Sequence, residues 1–215
     1  MRWASRWVWG GLLSAALVFV LAMKPMDATE TTTPPADGKT ETAVFGMGCF
    51  WCSQALFEKF DGITQIFCGY AGGHTVNPTY EDVCGDQTGH AEVVQITFDP
   101  KKISYSQLLD IFWDVHDPTT LNQQGADFGT QYRSIILYTT PEQKQLAEAS
   151  KAAEEKKIGR PVTTEVVPLT AFYKAEDYHQ EYFKKHPYVP YCLFTISPKL
   201  QKLEKHPPES VKPTK

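Results

Sequence analysis

Residues 42–60 read TAVFGMGCFWCSQALFEKF and predict a strand, a tight turn and a helix in direct succession. The strand, residues 42–47, closes on a turn between Gly46 and Gly48, and apolar residues then recur with helical spacing over residues 49–60. The helix ends at the Asp-Gly pair that follows. This order places a cysteine in the first turn of a helix, directly after a glycine turn.

The segments that follow continue a mixed pattern of strands and helices. Ser104 and Thr140 are residue types preferred at helix N-caps, and Gly159 is the type preferred at a helix C-terminus. The pattern predicts strands over residues 63–70, 90–98, 134–139 and 163–167, helices over 105–116 and 141–158, and irregular loops over 74–89 and 117–129. The order β-α-β-β-α-β followed by α-β predicts an α+β fold, a ferredoxin-like split βαβ two-layer sandwich with an additional helix and strand and long active-site loops.

The composition favours a single folded domain. Apolar residues make up 42% of the 215 residues and charged residues 21%, which is enough for one core but short for two. The formal net charge of −4 leaves no basic excess to neutralise phosphates, which argues against nucleic acid as a partner. We expect the domain to span residues 41–200 and a flexible tail to span residues 201–215.

Residues 1–23 have the layout of an export signal. Arg2 and Arg6 precede an uncharged, mostly apolar run over residues 7–23, which approaches the shortest length that spans a bilayer, about 17 residues. No A-x-A cleavage site follows this run, so an uncleaved anchor is favoured over a cleaved signal peptide. The Thr- and Pro-rich residues 24–40 are predicted to form a flexible linker. The positive-inside rule then predicts an exported domain, periplasmic or extracytoplasmic, whether anchored or released.

Two of the five cysteines are spaced for chemistry. An odd number of cysteines cannot form a complete set of disulfides. Cys49 lies where free backbone N–H groups and the helix dipole favour a thiolate, so its thiol is predicted to be acidic and reactive. Cys52 is one turn further on and close enough for a disulfide. The alternatives are two small buried side chains, or a zinc site, which lacks a second C-x-x-C here.

The strand over residues 90–98 carries a carboxyl group on its apolar face. Strict alternation puts Glu92 on the side that meets the core, where burial raises its pKa and lets it hold a proton near neutral pH. The alternative is a strand end in water. Tyr80 and Tyr132, in or beside the loops, could donate hydrogen bonds to a substrate oxygen, although a packing role is as plausible for each, and Asp127 has the same status.

Taken together, the chain resembles the type A peptide methionine sulfoxide reductases over residues 42–200. The resemblance rests on five blocks in order, namely GCFW at 48–51, GYAGG at 69–73, PTYEDV at 78–83, TGHAE at 88–92 and GTQYRS at 129–134. The motifs YHQ at 178–180 and YC at 191–192 extend it. It implies reduction of methionine-S-sulfoxide, free or in proteins, to methionine.

The resemblance also implies a role for each candidate residue. The Cys49 thiolate would attack the sulfoxide sulfur, while Glu92 protonates the departing oxygen and Tyr80 and Tyr132 hold it. Cys49 would be left as a sulfenic acid. The remaining pocket residues would be Phe50 and Trp51, as an apolar wall for the S-methyl group, and Asp127.

A second thiol would then form a disulfide with the sulfenic acid, and a thioredoxin-like donor would reduce it. Cys52 stands where many family members have glycine, and Cys192 matches a known recycling position, so both are candidates for the resolving role, with Cys52 slightly favoured. The family resemblance implies no metal or organic cofactor. We expect the protein to be a monomer. The rival functions are a general thiol-disulfide oxidoreductase, which fits the C-x-x-C motif alone, and a membrane-tethered binding module without catalysis.

Overall fold

The computed structural model describes residues 40–214 of the chain. Those residues form the strands β1 Glu41–Met47, β2 Ile63–Ala71, β3 Ala91–Phe98, β4 Gln123–Gln124, β5 Asp127–Phe128, β6 Ser134–Tyr138, β7 Glu165–Pro168 and β8 Phe172–Lys174. They also form the helices α1 Phe50–Phe57, α2 Tyr80–Cys84, α3 Tyr105–Val115, α4 Pro141–Ile158, α5 Tyr182–Lys185 and α6 Ser197–Lys205. The predicted export signal and, except for Thr40, the predicted linker lie outside the described residues. None of the helices within residues 40–214 is long and apolar enough to cross a bilayer.

Six strands form one sheet in the order β7-β6-β1-β3-β2-β8. The four central strands, β6-β1-β3-β2, pair antiparallel to one another, in the arrangement of a split βαβ sheet. β7 adds a parallel strand at one edge and β8 an antiparallel strand at the other. The predicted α+β, ferredoxin-like class is therefore confirmed.

The sequence pattern did not predict the helices α5 and α6, nor three shorter elements elsewhere. The loop after β2 contains helix α2, the loop after α3 contains the small hairpin β4–β5, and β8 follows the last predicted strand. Each has only two to five residues. Such lengths are too short to display a helical or alternating period, so tertiary contacts determine them.

The helices α1 and α3 cover one face of the sheet and bury the main core. Alternation along β1 and β3 turns Phe45, Val94 and Ile96 towards these helices. The intervening residues Val44 and Val93 lie on the opposite face, in a smaller apolar cluster. The predicted helix ends are confirmed, since Ser104 and Thr140 accept capping bonds and Gly159 takes the left-handed conformation at the end of α4.

At one end of the sheet, the last residues of β1 and β2 lie beside the first residues of β6 and β3. Met47 at the end of β1 pairs with Ser134 at the start of β6, and Tyr70 near the end of β2 pairs with Glu92 near the start of β3. Three segments therefore lie at this end of the sheet, namely the glycine turn, the loop over residues 74–89 and the loop over residues 117–133. Long loops on a rigid sheet are a common location for functional sites.

The C-terminal residues pack on the domain beyond the boundary predicted at residue 200. Helix α6 continues to Lys205, and Leu203 is buried in the main core. The side chain of Gln107 donates to the carbonyl of Ser210 at 2.8 Å, and the backbone N–H of Thr214 donates to the carbonyl of Lys59 at 2.6 Å. Part of the predicted tail is thus built into the domain.

Candidate active site

The glycine turn fixes the position of Cys49. Gly48 has φ +95°, and a Cβ atom placed on it would lie 2.7 Å from the side chain of Gln124, so only glycine fits there. Cys49 follows as the N-cap of α1, and its carbonyl accepts the backbone N–H of Ser53 at 3.2 Å. The thiol is therefore held at a helix start, as the sequence predicts, but it is only 7% exposed.

Glu92 lies beside this helix start with its carboxyl group buried. It is 1% exposed, and its Oε2 atom accepts the backbone N–H of Phe50 at 3.0 Å. Burial raises the pKa of the Glu92 carboxyl to about 8, although the Phe50 hydrogen bond acts in the opposite direction. The side chain is thus protonated near neutral pH, and its burial excludes the alternative of a strand end in water.

The thiols of Cys49 and Cys52 are both reduced and hydrogen-bonded to each other. Burial, followed by the hydrogen bond with Cys52 and the charge of Glu92, raises the pKa of the Cys49 thiol well above its ordinary value. The hydrogen bond from Cys49 instead lowers the pKa of Cys52 to about 7, with support from the charge of Lys199. The predicted acidity of Cys49 is therefore wrong for this state, because burial is the largest cause of the shift and disfavours the thiolate.

Tyr191 connects the thiols to Asp127. Its hydroxyl donates to Asp127 Oδ2 at 2.8 Å and lies 3.7 Å from Cys52 Sγ. Asp127 is a predicted site residue, whereas Tyr191 was visible in the sequence only as part of a family motif. The next residue, Cys192, is completely buried at the start of a π-helical turn, Cys192–Ile196, and burial raises the pKa of its thiol.

Phe50 and Trp51 belong to an aromatic cluster. The Trp51 ring stacks on Tyr182 with centroids 3.7 Å apart, and its Nε1 donates to His179 Nδ1 at 3.2 Å. The Phe50 ring lies 5.0 Å from that of His179. Tyr182 and His179 thus fix the predicted apolar wall. The sequence analysis did not assign them a role, because they lie about 130 residues from Trp51 in the chain.

The two predicted tyrosines lie near Glu92 on different elements. Tyr80 begins α2, and Tyr132 ends a single 3₁₀ turn, Thr130–Tyr132. Burial is the main reason that both hydroxyl pKa values are raised, and the charge of Glu92 contributes to both. Both side chains therefore remain protonated and can donate hydrogen bonds.

Glu176 accepts hydrogen bonds from two elements next to the site, the strand β2 and the helix α2. Its Oε1 accepts the backbone N–H of Tyr80 at 2.9 Å, and its Oε2 accepts the hydroxyl of Tyr70 at 2.9 Å. His179 Nε2 lies 3.8 Å from the same Oε2 and makes no hydrogen bond within the described residues. Because Nδ1 accepts from Trp51, the proton of the neutral imidazole is assigned to Nε2.

The structure thus brings together the predicted site residues, including Cys192, which is completely buried and close enough to Cys52 for that thiol to help raise its pKa. Within residues 40–214, no group of His, Cys, Asp or Glu side chains is arranged to hold a metal ion. The assembled groups are a thiol pair, a protonated carboxyl, two hydroxyl donors and an apolar wall. This set can attack a polarised atom with sulfur while a proton is supplied to an adjacent oxygen.

Comparison with known proteins gives consistent matches. The family model described as peptide methionine sulfoxide reductase matches residues 41–211. The peptide methionine sulfoxide reductase MsrA of Saccharolobus solfataricus is 56% identical over 172 residues, which cover 80% of this chain and 97% of that protein.

Solved structures agree with these matches. The reduced form of Mxr1 from Saccharomyces cerevisiae has a TM-score of 0.69 and 35% identity, covering 73% of this chain and 91% of that one. Mxr1 in complex with Trx2 has a TM-score of 0.52 and 27% identity, covering 71% and 91% respectively. The residues that the family model matches include all six strands of the main sheet and both loops of the site.

Proposed function

This chain belongs to the peptide methionine sulfoxide reductase family, and from that premise we propose how its residues carry out the reaction. The enzyme is an oxidoreductase that reduces methionine sulfoxide to methionine by thiol chemistry. Two cysteine thiols supply both electrons, so the reaction needs no metal or organic cofactor. The observation that carries the assignment of residues is that the buried Glu92 carboxyl accepts the N–H of Phe50, the residue after Cys49, and interacts electrostatically with the Cys49 thiol.

The first step transfers oxygen from the substrate to Cys49. The proton of Cys49 passes along its hydrogen bond to the Cys52 thiolate, whose pKa is about 7, and the Cys49 sulfur then attacks the sulfoxide sulfur. Glu92 donates its proton to the oxygen, while Tyr80 and Tyr132 hold that oxygen by hydrogen bonds. The protonated oxygen then passes as a hydroxyl group from the substrate sulfur to the Cys49 sulfur while the bond between the two sulfurs breaks, so methionine leaves and Cys49 becomes a sulfenic acid.

The family resemblance implies that the S epimer is the substrate, and the residues around Cys49 suggest how one epimer would be selected. Phe50 and Trp51 would contact the S-methyl group on one side, with Trp51 fixed by Tyr182 and His179. Asp127 and Tyr191 would line the opposite side. Once the S-methyl group lies against the aromatic wall and the oxygen lies near Glu92, only one of the two sulfoxide epimers presents its sulfur to Cys49.

Cys52 is the better placed of the two resolving candidates. Its thiol is already hydrogen-bonded to Cys49, whereas the thiol of Cys192 interacts with Cys52. The Cys52 sulfur attacks the sulfenic acid and forms a disulfide, and the displaced hydroxyl leaves with the Cys52 proton as water. Cys52→Ser should accumulate sulfenic acid in a single turnover, whereas Cys192→Ser should still form the disulfide. The opposite result would transfer the resolving role to Cys192.

The direct test is reduction of the separate S and R epimers of a methionine sulfoxide peptide, driven by dithiothreitol. The full chain should consume only the S epimer, and Cys49→Ser should abolish turnover. Reduction of insulin disulfides without sulfoxide turnover would instead support a general thiol-disulfide oxidoreductase. Binding of sulfoxide that is unchanged by Cys49→Ser would support a non-catalytic binding module.

Recycling and location are parts of the same proposal. Mxr1, a relative, has been crystallised with a thioredoxin, which supports a thioredoxin-like dithiol protein as the electron donor here. The apolar run over residues 7–23 supports export, with the domain outside the cytoplasm and either anchored or released. Protease accessibility in intact spheroplasts tests this location, because a cytoplasmic domain would stay protected. Gel filtration of the purified protein tests the proposed monomer.

A further inference from the structure

The groups assigned to the sulfoxide oxygen lie on three different segments of the chain. Glu92 is on β3, Tyr80 begins α2, and Tyr132 ends the 3₁₀ turn Thr130–Tyr132. The two tyrosines are half-buried and belong to loops, so strand pairing does not fix the separation of their hydroxyls. Hydrogen bonds weaken when their length or angle leaves a narrow range. Contacts between the two loops must therefore set this separation.

One carboxylate oxygen connects the two loops. Asp86 lies two residues after the end of α2, and its Oδ1 atom accepts the backbone N–H of Thr130 at 3.1 Å. The same Oδ1 also accepts the hydroxyl of Thr130. Thr130 is the first residue of the turn that ends at Tyr132. Asp86 therefore joins the turn that carries Tyr132 to the helix that carries Tyr80.

The backbone holds Asp86 at a fixed place relative to α2. The N–H of Gly85 donates to the carbonyl of Glu81 at 3.0 Å, and the N–H of Asp86 donates to the carbonyl of Val83 at 3.1 Å. Asp86 has φ +60°, a left-handed conformation that aspartate and asparagine tolerate better than most other residues. Hydrogen bonds thus fix the chain from α2 to Asp86, and the carboxylate then spans the gap to the other loop.

Arg133 holds the other side of the same turn. It is 9% exposed, and its Nη1 donates to the carbonyl of Thr130 at 3.0 Å. Its Nη2 donates to the carbonyl of Gly89, three residues before Glu92, at 3.0 Å. The turn is therefore bonded to α2 through Asp86 and to the segment that leads into β3 through Arg133. A continuous path of hydrogen bonds links the segments of all three groups that act on the oxygen.

We propose that Asp86 is a positioning residue for the reduction of the sulfoxide. By binding Thr130 it sets the separation of the Tyr80 and Tyr132 hydroxyls, and through them the place of the sulfoxide oxygen relative to Glu92. Asp86 acts through the tyrosines and is not itself a catalytic group. This inference rests on the proposed function and adds a residue that lies between two of the family motifs, in neither of them.

The first test is the rate of a single turnover of the S-sulfoxide peptide, measured without reductant. Asp86→Gly removes the acceptor and suits the left-handed backbone, so it isolates the side chain. The rate constant at saturating peptide should fall about fivefold, within the range expected when one hydrogen bond is lost. The half-saturating concentration should change by less than about twofold, because Phe50 and Trp51 on α1 would still hold the S-methyl group.

Matched variants separate the contact from the flexibility of the loop. Asp86→Asn keeps an acceptor oxygen and tolerates the left-handed conformation, so it should retain most of the wild-type rate constant. Gln87→Gly adds a glycine to the same loop and keeps Asp86, so it should leave both values unchanged. Thr130→Val removes the hydroxyl donor and keeps the N–H, and should lower the rate constant about twofold. Combined with Asp86→Gly it should lower the rate constant no further, because both changes remove the same contact.

Alkylation of Cys49 by iodoacetamide supplies a readout that does not use the tyrosine hydroxyls. Its rate in Asp86→Gly, followed by mass spectrometry of the Cys49 peptide, should equal that of the wild type. A wild-type single-turnover rate constant in Asp86→Gly or in Thr130→Val would overturn the inference. So would an equal fall in Gln87→Gly, which would indicate loop flexibility, or an equal slowing of alkylation, which would indicate general distortion of the site. Absence of turnover in the wild type would instead refute the proposed function itself.

Discussion

The Glu92 carboxyl shows how one residue acquires its chemistry from burial. It accepts one backbone N–H, from Phe50, and is otherwise enclosed by the core and the site. The charged form is disfavoured there, so the folded protein holds a proton that an exposed glutamate would release. A carboxyl group that remains protonated at neutral pH can act as a general acid.

Replacing Glu92 by Gln should therefore lower kcat by a factor of about 10² to 10⁴, the usual contribution of a general acid. In the wild type, activity should fall as the pH rises above about 8, where the Glu92 proton is lost. Dithiothreitol-driven turnover measured from pH 6 to pH 9.5 checks both statements. If the Gln variant still lost activity above pH 8, the loss would belong to the titration of another group.

The same shift makes stability depend on pH. The folded state holds the Glu92 proton up to a pKa of about 8, whereas the unfolded chain releases it near the ordinary value of 4.5. The stabilisation is therefore full below pH 4.5 and is lost as the pH rises to about 8. Denaturant unfolding at pH 5 and pH 8 should show a larger loss for the wild type than for Glu92→Gln. An equal loss would mean that Glu92 is not protonated in the fold.

At the scale of elements, the short segment from Ala175 to Gln180 organises the site. Gln180 holds it on β2, since its side chain bonds both the N–H and the carbonyl of Cys68, at 2.9 and 3.0 Å. From this fixed position Glu176 reaches the start of α2, and His179 reaches Trp51. Two walls of the pocket thus depend on one segment.

Glu176→Gln should misplace Tyr80, because one of the two donors held by the carboxylate loses its acceptor. We expect kcat to fall by about tenfold, the equivalent of roughly 1.4 kcal/mol, with a smaller change in KM. Asp177→Asn alters the neighbouring, almost fully exposed carboxylate and should leave both constants unchanged. Stability curves measured in parallel check the interpretation, since a fall in stability without a fall in kcat would indicate a purely structural role.

At the scale of the whole molecule, the C-terminus completes the core. Leu203 of α6 is buried against it, and residues after α6 bond to the loop after α1 and to α3. A chain that ends at residue 200 should lose about 2–5 kcal/mol of unfolding free energy, as expected for a deleted buried leucine. A chain that ends at residue 211 keeps Leu203 and should lose less. Equal unfolding midpoints for the two truncations would show that α6 is dispensable.

The sequence by itself determined much of the fold. Alternation over residues 90–98 placed Glu92 on the core face, and glycine, cap and helix patterns located Cys49 and the ends of α3 and α4. These features depend on neighbours a few residues away, which is the distance over which backbone preferences and side-chain periodicity act. The roles of the two loop tyrosines came only from the family resemblance, because no local pattern distinguishes them from packing residues.

Only the tertiary structure decided which of the two thiols is acidic and what holds the pocket walls. Cys49 is closer to the helix N-terminus, but its burial and its hydrogen bond to Cys52 raise its own pKa, and the same hydrogen bond lowers the pKa of Cys52. The contacts of Trp51 with His179, and of Asp127 with Tyr191, join residues 128 and 64 positions apart. Burial and long-range hydrogen bonds arise from packing of the whole chain, so no local pattern could display them.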